Sequence, residues 1–144
     1  MTRLNGKVAI ITGGNSGVGA ATALLFAKEG AKVVITARRE EKLKEVAAQI
    51  EAAGGIVYPL SADISKAEDA VNIIEKTVEK FGQVDILVNN AGILEQGLKP
   101  IDRFEDEDLD RILNTNTKGT MYCMKEAAKE MTKTGKGSII NVAS

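Results

Sequence analysis

Apolar and polar positions follow one another in blocks along the chain. Short, continuous apolar runs are typical of strands that are covered on both faces of a parallel sheet. Such runs occupy residues 7–12, 32–36, 56–60, 84–88 and 138–142. Between them the apolar residues recur every three or four positions, which predicts helices with one buried face.

These helices have recognisable ends. The first is predicted at 17–29 and stops at Gly30, and the second opens at 38–42 and ends at Gly54. A third, capped by Asp63 or Ser65, runs to Phe81. A long stretch at 105–131 is interrupted by the poor helix formers Asn114, Thr115, Asn116 and Gly119. The interruption predicts a kink or two successive helices.

The alternation of strands and helices predicts an α/β fold with a doubly wound parallel sheet. A length of 144 residues, 44% of them hydrophobic and 27% charged, fits one globular domain spanning residues 1–144. The net charge is -1 and no basic residues cluster, so neither nucleic acid nor an acidic membrane surface is expected as a partner.

The composition also excludes several kinds of functional site. The chain has no histidine and one cysteine, Cys123, so no metal site, no internal disulfide and no Ser-His or Cys-His nucleophile is expected. No apolar run reaches the roughly 18 residues of a membrane span, and no N-terminal targeting segment is recognised. A cytoplasmic protein is the resulting expectation.

A glycine-rich turn joins the first strand to the first helix. Backbone N–H groups of such a turn, with the positive end of the helix dipole, can hold a pyrophosphate. The alternative is a tight turn without a ligand, as in any α/β protein. The candidate ligand-binding residues of this turn are Thr12, Gly13, Asn15, Ser16, Gly17, Val18 and Gly19.

The turn resembles the short-chain dehydrogenase/reductase family, whose fingerprint Thr-Gly-x-x-x-Gly-x-Gly is matched at every fixed position by residues 12–19. A second family motif, Asn-Asn-Ala-Gly, stands at residues 89–92, directly after the fourth strand. The resemblance implies a Rossmann-type sheet with strand order 3-2-1-4-5. It also implies a nicotinamide dinucleotide across the carboxyl ends of the strands.

The end of the second strand bears on the choice of cofactor. In dinucleotide folds an acidic residue there binds the ribose 2′-OH of NAD, whereas an arginine accommodates the 2′-phosphate of NADP. The acidic position falls on Ala37, and Arg38 follows, which favours NADP(H) over NAD(H). Alternatively, Arg38 and Arg39 solvate a helix start and Glu40 or Glu41 reaches a ribose.

Further cofactor-binding residues lie after the third and fourth strands. In the resembling family an aspartate after strand three lies by the adenine, and Asp63 and Ile64 match that position. Asp63 as a plain helix cap is the alternative. After strand four, the small residues Ala91 and Gly92 allow close approach of a cofactor. Asn90 belongs to the same motif, and Asn89 is expected to bridge neighbouring backbones.

The resemblance also assigns catalytic residues. Asn116 matches an asparagine that holds a water in a proton relay, and Ser144 matches the serine that hydrogen-bonds the substrate carbonyl. Without the resemblance, the structural interpretation is favoured for both residues: Asn116 as a kink residue and Ser144 as a strand end. The family's proton donor, a Tyr-x-x-x-Lys pair, is missing, because Ala62 and Glu126 stand four residues after Tyr58 and Tyr122.

The resemblance covers somewhat more than the first half of a family domain, truncated after the fifth strand. It implies hydride transfer between nicotinamide and an alcohol or carbonyl carbon of a small molecule, in a homodimer or homotetramer. Turnover by this chain alone is not expected, and strand five is expected to expose an apolar edge. The alternatives are a non-catalytic NADP(H)-binding half-domain that needs a complementing chain, and an interaction protein without nucleotide.

Overall fold

The structure, a computed structural model, describes residues 2–93 and 99–143. Within these residues five parallel strands form one sheet in the order β3-β2-β1-β4-β5. The strands are β1 (Val8–Thr12), β2 (Lys32–Ala37), β3 (Ile56–Ser61), β4 (Ile86–Asn89) and β5 (Ser138–Asn141). The predicted doubly wound α/β fold with strand order 3-2-1-4-5 is confirmed.

Helices connect the strands as the sequence pattern predicts. They are α1 (Gly17–Lys28), α2 (Glu40–Ala52), α3 (Ala67–Phe81), α4 (Asp106–Ile112) and α5 (Thr120–Thr134), with a 3₁₀ turn at Ile101–Arg103. The helix α3 ends at Gly82, whose φ of 85° lies in the left-handed region that favours glycine. The predicted bounds differ from the observed ones by a few residues at most elements.

Two apolar cores cover the two faces of the sheet. On one face, Ile11 and Ile35 pack with Leu43 and Ile50 of α2 and with residues of α1. On the other face, the strand residues Ile10, Val34 and Leu87 pack with Ile73 of α3 and with residues of α5. Successive strand residues point to opposite faces, and both faces are buried, which is why the strands read as unbroken apolar runs.

The predicted cap of α3 is wrong. The residue at the cap is Lys66, and no side chain there makes a capping hydrogen bond. Asp63 instead accepts hydrogen bonds from the amide and hydroxyl of Ser65, at 3.0 and 2.6 Å. Its own amide donates to a carboxylate oxygen of Asp69, at 2.7 Å. The carboxylate thus shapes the loop before the helix, because a short acidic side chain readily bonds the backbone two residues on.

The interruption in the long helical stretch is a π-helical segment at Leu113–Gly119, which joins α4 to α5. The stretch extends to Thr134 rather than ending at residue 131. At Gly119 the helix passes so close to the loop after β3 that an added Cβ would lie 2.9 Å from the Ile64 carbonyl oxygen. Single wide turns of this kind occur often at functional sites.

Strand β5 lies at one edge of the described sheet, and exposed apolar residues lie in it and directly after it. Ile140 in β5 and Val142 just beyond its end are 45% and 47% exposed. Beside Ile140 lies a groove of ≈ 440 Å³ whose apolar lining includes Leu25, Phe26 and Ile86. The predicted apolar edge at strand five is confirmed for the described residues.

Candidate functional site

A polar recess opens at the carboxyl ends of the strands. Its volume is ≈ 310 Å³, and it lies where ligands of open α/β sheets bind. The predicted binding residues that line it are Gly13, Asn15, Ser16, Arg38, Asp63, Ile64, Ala91 and Gly92. These residues come from four segments distant in sequence, and Thr115 of the π-helical segment adds a fifth.

The glycine-rich turn is closed by contacts that exclude side chains. An added Cβ at Gly13, where φ is 67°, would lie 2.9 Å from the Ala91 Cα atom, and one at Gly19 would collide with the Gly13 carbonyl oxygen. Ser16 precedes α1 in an extended conformation and makes no side-chain capping bond. The first amides of α1 therefore have no side-chain acceptor and suit an anion.

Four predicted residues of the turn do not line the recess: Thr12, Gly17, Val18 and Gly19. Thr12 is buried, and its hydroxyl oxygen accepts hydrogen bonds from the amides of Asn90 and Ala91, at 3.1 and 3.0 Å. It thus links the end of β1 to the loop after β4. Val18 is 64% exposed beside the turn. These residues shape the turn or flank it.

Asn89, the last residue of β4, and Asn90, which follows it, both differ from expectation. Asn90, which does not line the recess, bridges to the backbone by donating from Nδ2 to the Gly13 carbonyl oxygen at 3.2 Å. Asn89 does not bridge backbones; its Nδ2 donates to Asn141 Oδ1 on β5 at 2.9 Å. The prediction for Asn89 is wrong because its side chain emerges within the sheet, opposite Asn141 in the strand register.

Asn116 holds the loop after β4 from the other side. Its Oδ1 accepts from the Ile93 amide and its Nδ2 donates to the Ile93 carbonyl oxygen, both at 2.8 Å. Its own carbonyl oxygen accepts from the Thr120 hydroxyl at 2.9 Å. Asn116 therefore lies behind the recess, and its neighbour Thr115 lines it. The side-chain amide is committed to the backbone and positions residues 91–93.

Asp63 is the acidic residue among those that line the recess. Burial would raise its pKa, but the hydrogen bonds from Ser65 and the positive charges of Arg38 and Lys66 lower the pKa below its ordinary value. Asp63 is therefore ionised at neutral pH and faces the positive charge of Arg38. Ala37 also lines the recess, so the position where NAD-binding folds carry an acid offers only a methyl group.

Sequence reasoning missed several lining residues. They are Thr36, Arg39, Lys42, Ala62, Ile93 and Thr115. Thr36 is 1% exposed, and its hydroxyl oxygen has no hydrogen-bond partner in the described part of the chain. A buried polar group without a partner costs free energy, so Thr36 indicates a ligand or water beside it. Its place at the end of an apolar strand was the available sequence signal.

The remaining candidates for catalytic residues either lie away from the recess or fall outside the residues that the structure describes. Ser144 lies outside the described residues. Tyr58 packs under Lys80, whose Nζ is 4.8 Å from the ring centroid, and Lys125 lies 3.8 Å from the Glu126 carboxylate. Burial raises the pKa of the Cys123 thiol to about 12, so it stays protonated and inert.

Within residues 2–93 and 99–143, no group of three or more cysteine, aspartate or glutamate side chains is placed to hold a metal ion. Every helix in this part of the chain is too short or too polar to cross a membrane.

Comparison with known proteins agrees with this geometry. Residues 7–144 match the model of the short chain dehydrogenase family. The chain belongs to this family. An uncharacterized oxidoreductase of Thermotoga maritima is 45% identical over 139 residues, which cover 96% of this chain and 54% of that protein.

Two solved structures share the fold closely. A metagenomic short-chain oxidoreductase in complex with NADP has a TM-score of 0.93 at 35% identity. The match covers 98% of this chain and 63% of that protein's chain. NAD⁺-bound xylitol dehydrogenase has a TM-score of 0.93 at 30% identity. This match covers 99% of the present chain and 54% of the xylitol dehydrogenase chain. The chain spans about half the length of the curated relatives it matches, between 51% and 61% for the first five.

Proposed function

We propose that the chain is the nucleotide-binding part of an NAD(P)-dependent oxidoreductase that acts on an alcohol or carbonyl group of a small molecule. One observation carries the proposal. The glycine-rich turn and Arg38 line the same recess at the strand ends, and Ala37 occupies the position where an NAD-binding fold carries an acidic residue. When bound, the nicotinamide ring would supply or accept the hydride. Residues 1–144 would then form an incomplete domain of the family.

The residues of the recess fit a dinucleotide. The uncapped amides at the start of α1 suit the pyrophosphate, and the unpartnered hydroxyl of Thr36 awaits a polar neighbour. Asp63, Ile64 and Ala91 would border the adenosine, and Arg38 would hold a phosphate on its ribose. This donor set favours NADP(H), whereas the two solved relatives described above hold NADP in one case and NAD⁺ in the other.

The catalytic side of the proposal rests on Asn116 and Ser144. Asn116 holds the Ile93 backbone in place, so its role in a proton relay would be to position the loop after β4. Ser144 would orient the carbonyl group of the substrate. The proton donor would come from outside these 144 residues, since neither tyrosine is followed by a lysine four positions on.

A second candidate, a non-catalytic half-domain that is completed by further polypeptide, is favoured by the exposed edge of β5 and its apolar groove. Genomic sequence beyond codon 144 separates the two. A continuous reading frame that includes Tyr-x-x-x-Lys supports the enzyme, and a frame without this motif supports the half-domain.

Association into a homodimer or homotetramer in the cytoplasm is part of the same proposal. Leu109, Leu113 and Met121 are 42%, 52% and 58% exposed along α4, the π-helical segment and α5. Spacings of four and eight residues place them near one side of the helical stretch. This side is the proposed contact between subunits.

Calorimetric titration of the 144-residue chain with NADPH and NADH tests the cofactor proposal. We expect tighter binding of NADPH, and Arg38→Asp should weaken NADPH binding about 10- to 100-fold, the value of a charged hydrogen bond. Arg103→Asp makes the same charge change at an exposed residue outside the recess and should alter neither affinity. Binding of neither dinucleotide by the folded chain would contradict the proposal.

A further inference from the structure

Three cations line the recess at the junction of β2 and α2: Arg38, Arg39 and Lys42. In the described part of the chain, no carboxylate oxygen lies within 4.0 Å of their charged nitrogens. The next lysine along α2, Lys44, is instead paired with Glu40 at 3.3 Å. These three side chains are exposed, so the positive charge on this wall has no carboxylate partner within ion-pair distance and is open to an anion that enters the recess.

One guanidinium does not balance the charge of a phosphate monoester. Such a group carries about -1.5 to -2 at neutral pH. The ionised Asp63 in the same recess would also repel it, although the Ser65 hydroxyl and amide take up part of the Asp63 charge. A second cation close to Arg38 is needed for the site to favour a phosphate over a hydroxyl group.

Lys42 is in the right place to supply this charge. It lies in the first turn of α2, where the helix dipole also favours an anion, and it lines the recess together with Arg38. Arg38 presents a planar fork that can bind two oxygens, whereas an ammonium on a flexible stem acts as a point charge from any direction. The two side chains therefore complement each other.

We propose that Lys42 is a second ligand, beside Arg38, of the 2′-phosphate on the adenosine ribose, and that it is a specificity-determining residue. This inference rests on the proposed NADP(H)-binding function. Lys42 contributes only to the phosphorylated nucleotide, because a ribose hydroxyl offers no charge for the ammonium group to neutralise.

Two nucleotides without nicotinamide isolate this contact. Adenosine 2′,5′-bisphosphate and 5′-AMP differ only in the 2′-phosphate, and their affinities for the chain are measured by calorimetry. Lys42→Gln should weaken binding of the bisphosphate about twofold to fivefold, as expected for one exposed ion pair, and leave 5′-AMP unchanged. Lys42→Arg should retain most of the preference. Lys44→Gln, which removes a lysine already paired with Glu40, is the matched control.

The outcomes separate this inference from the proposed function. If the chain prefers the bisphosphate and Lys42→Gln leaves that preference unchanged, or weakens both nucleotides equally, the inference on Lys42 is wrong and the NADP(H) proposal stands. If the unmodified chain binds the two nucleotides equally or not at all, both are wrong. A specific loss for the bisphosphate, absent in Lys44→Gln, supports the inference.

Discussion

The two edges of the sheet differ in how they meet solvent. At the β3 edge, Pro59 interrupts the row of backbone donors and Lys80 covers the ring of Tyr58 at 4.8 Å. At the β5 edge, Ile140 and Val142 stand exposed beside an apolar groove. Edges of sheets normally carry devices that prevent pairing; Pro59 is such a device on β3, whereas β5 contains neither a proline nor a charged residue.

The two sides of the recess also differ in the functional groups that they offer. On the side of β1, β2 and β3, the recess is lined by the glycine-rich turn, three cations and Asp63. On the side of β5, the described residues offer the Asn89–Asn141 pair but no candidate proton donor. The described residues therefore carry the groups proposed for nucleotide binding and none of those proposed for proton donation.

The largest effect is expected from closing the space inside the phosphate turn. Gly19→Ala places a Cβ against the Gly13 carbonyl oxygen and near Asn90 Nδ2, at 2.6 Å from the latter, so the turn must open. Calorimetry should show about 100-fold weaker NADPH binding. Gly54→Ala is the control: its φ is 85°, but the added Cβ meets nothing within 4 Å. It should cost about 1 kcal/mol of stability and leave the affinity unchanged.

If Gly19→Ala binds NADPH as well as the unmodified chain does, the turn does not hold the pyrophosphate. The claim that this chain contains the nucleotide-binding residues would then lose its main support.

An intermediate effect is expected from placing one charge on each edge. Ile140 and Ile56 are 45% and 51% exposed, so the same change to lysine is made at matched exposure on β5 and on β3. Pairing of the 144-residue chain through the open β5 edge would be separate from the proposed subunit contact on α4 and α5. Ile140→Lys should weaken this pairing about 5- to 10-fold, from the apolar area it removes and the charge it adds. Sedimentation velocity over a concentration series measures this.

Ile56→Lys should leave self-association unchanged, because Pro59 and Tyr58 already protect that edge. Equal effects at the two positions would show that the edges do not differ in solution, contrary to the comparison.

The smallest effect is expected at Asp63, which holds the loop after β3. Asp63→Ala removes the bonds from Ser65 and should cost about 1 kcal/mol at pH 7, allowing for solvent screening. Because the pKa of Asp63 in the folded chain lies below its ordinary 3.8, this stabilisation is complete well above pH 3.8. It is lost as the pH falls through the lower folded value.

Urea unfolding of the unmodified chain and of Asp63→Ala at pH 7 and pH 3 measures the difference. Asp63→Asn keeps an acceptor oxygen and should lose less. A difference that is larger at pH 3 than at pH 7 would contradict the assignment.

Much of the fold could be predicted from the sequence, because buried strands and amphipathic helices each carry their own period. The poor helix formers near Asn114 predict an interruption but not its π-helical form, and the close approach of Gly119 to Ile64 joins residues distant in sequence. The cap of α3 was misplaced for a similar reason. Asp63 had two possible partners, the helix start and Ser65, and spacing alone did not decide between them.

The candidate site was predicted where a short motif carries the chemistry, as in the glycine-rich turn and at Arg38. It was missed where the recess is completed by residues with no motif. Lys42 and Thr36 read as an exposed helix residue and the end of an apolar strand. Only the meeting of β2, β3 and α2 in three dimensions places them on the wall of the recess.

Amide hydrogen exchange of the 144-residue chain with and without NADPH tests the central claim, that the nucleotide half is complete within this chain. The account predicts slower exchange at residues 12–19, 36–42, 61–64 and 89–93, and no change at residues 138–143 on the open edge. Protection confined to β5, or no protection at the turn and around Arg38, would contradict it.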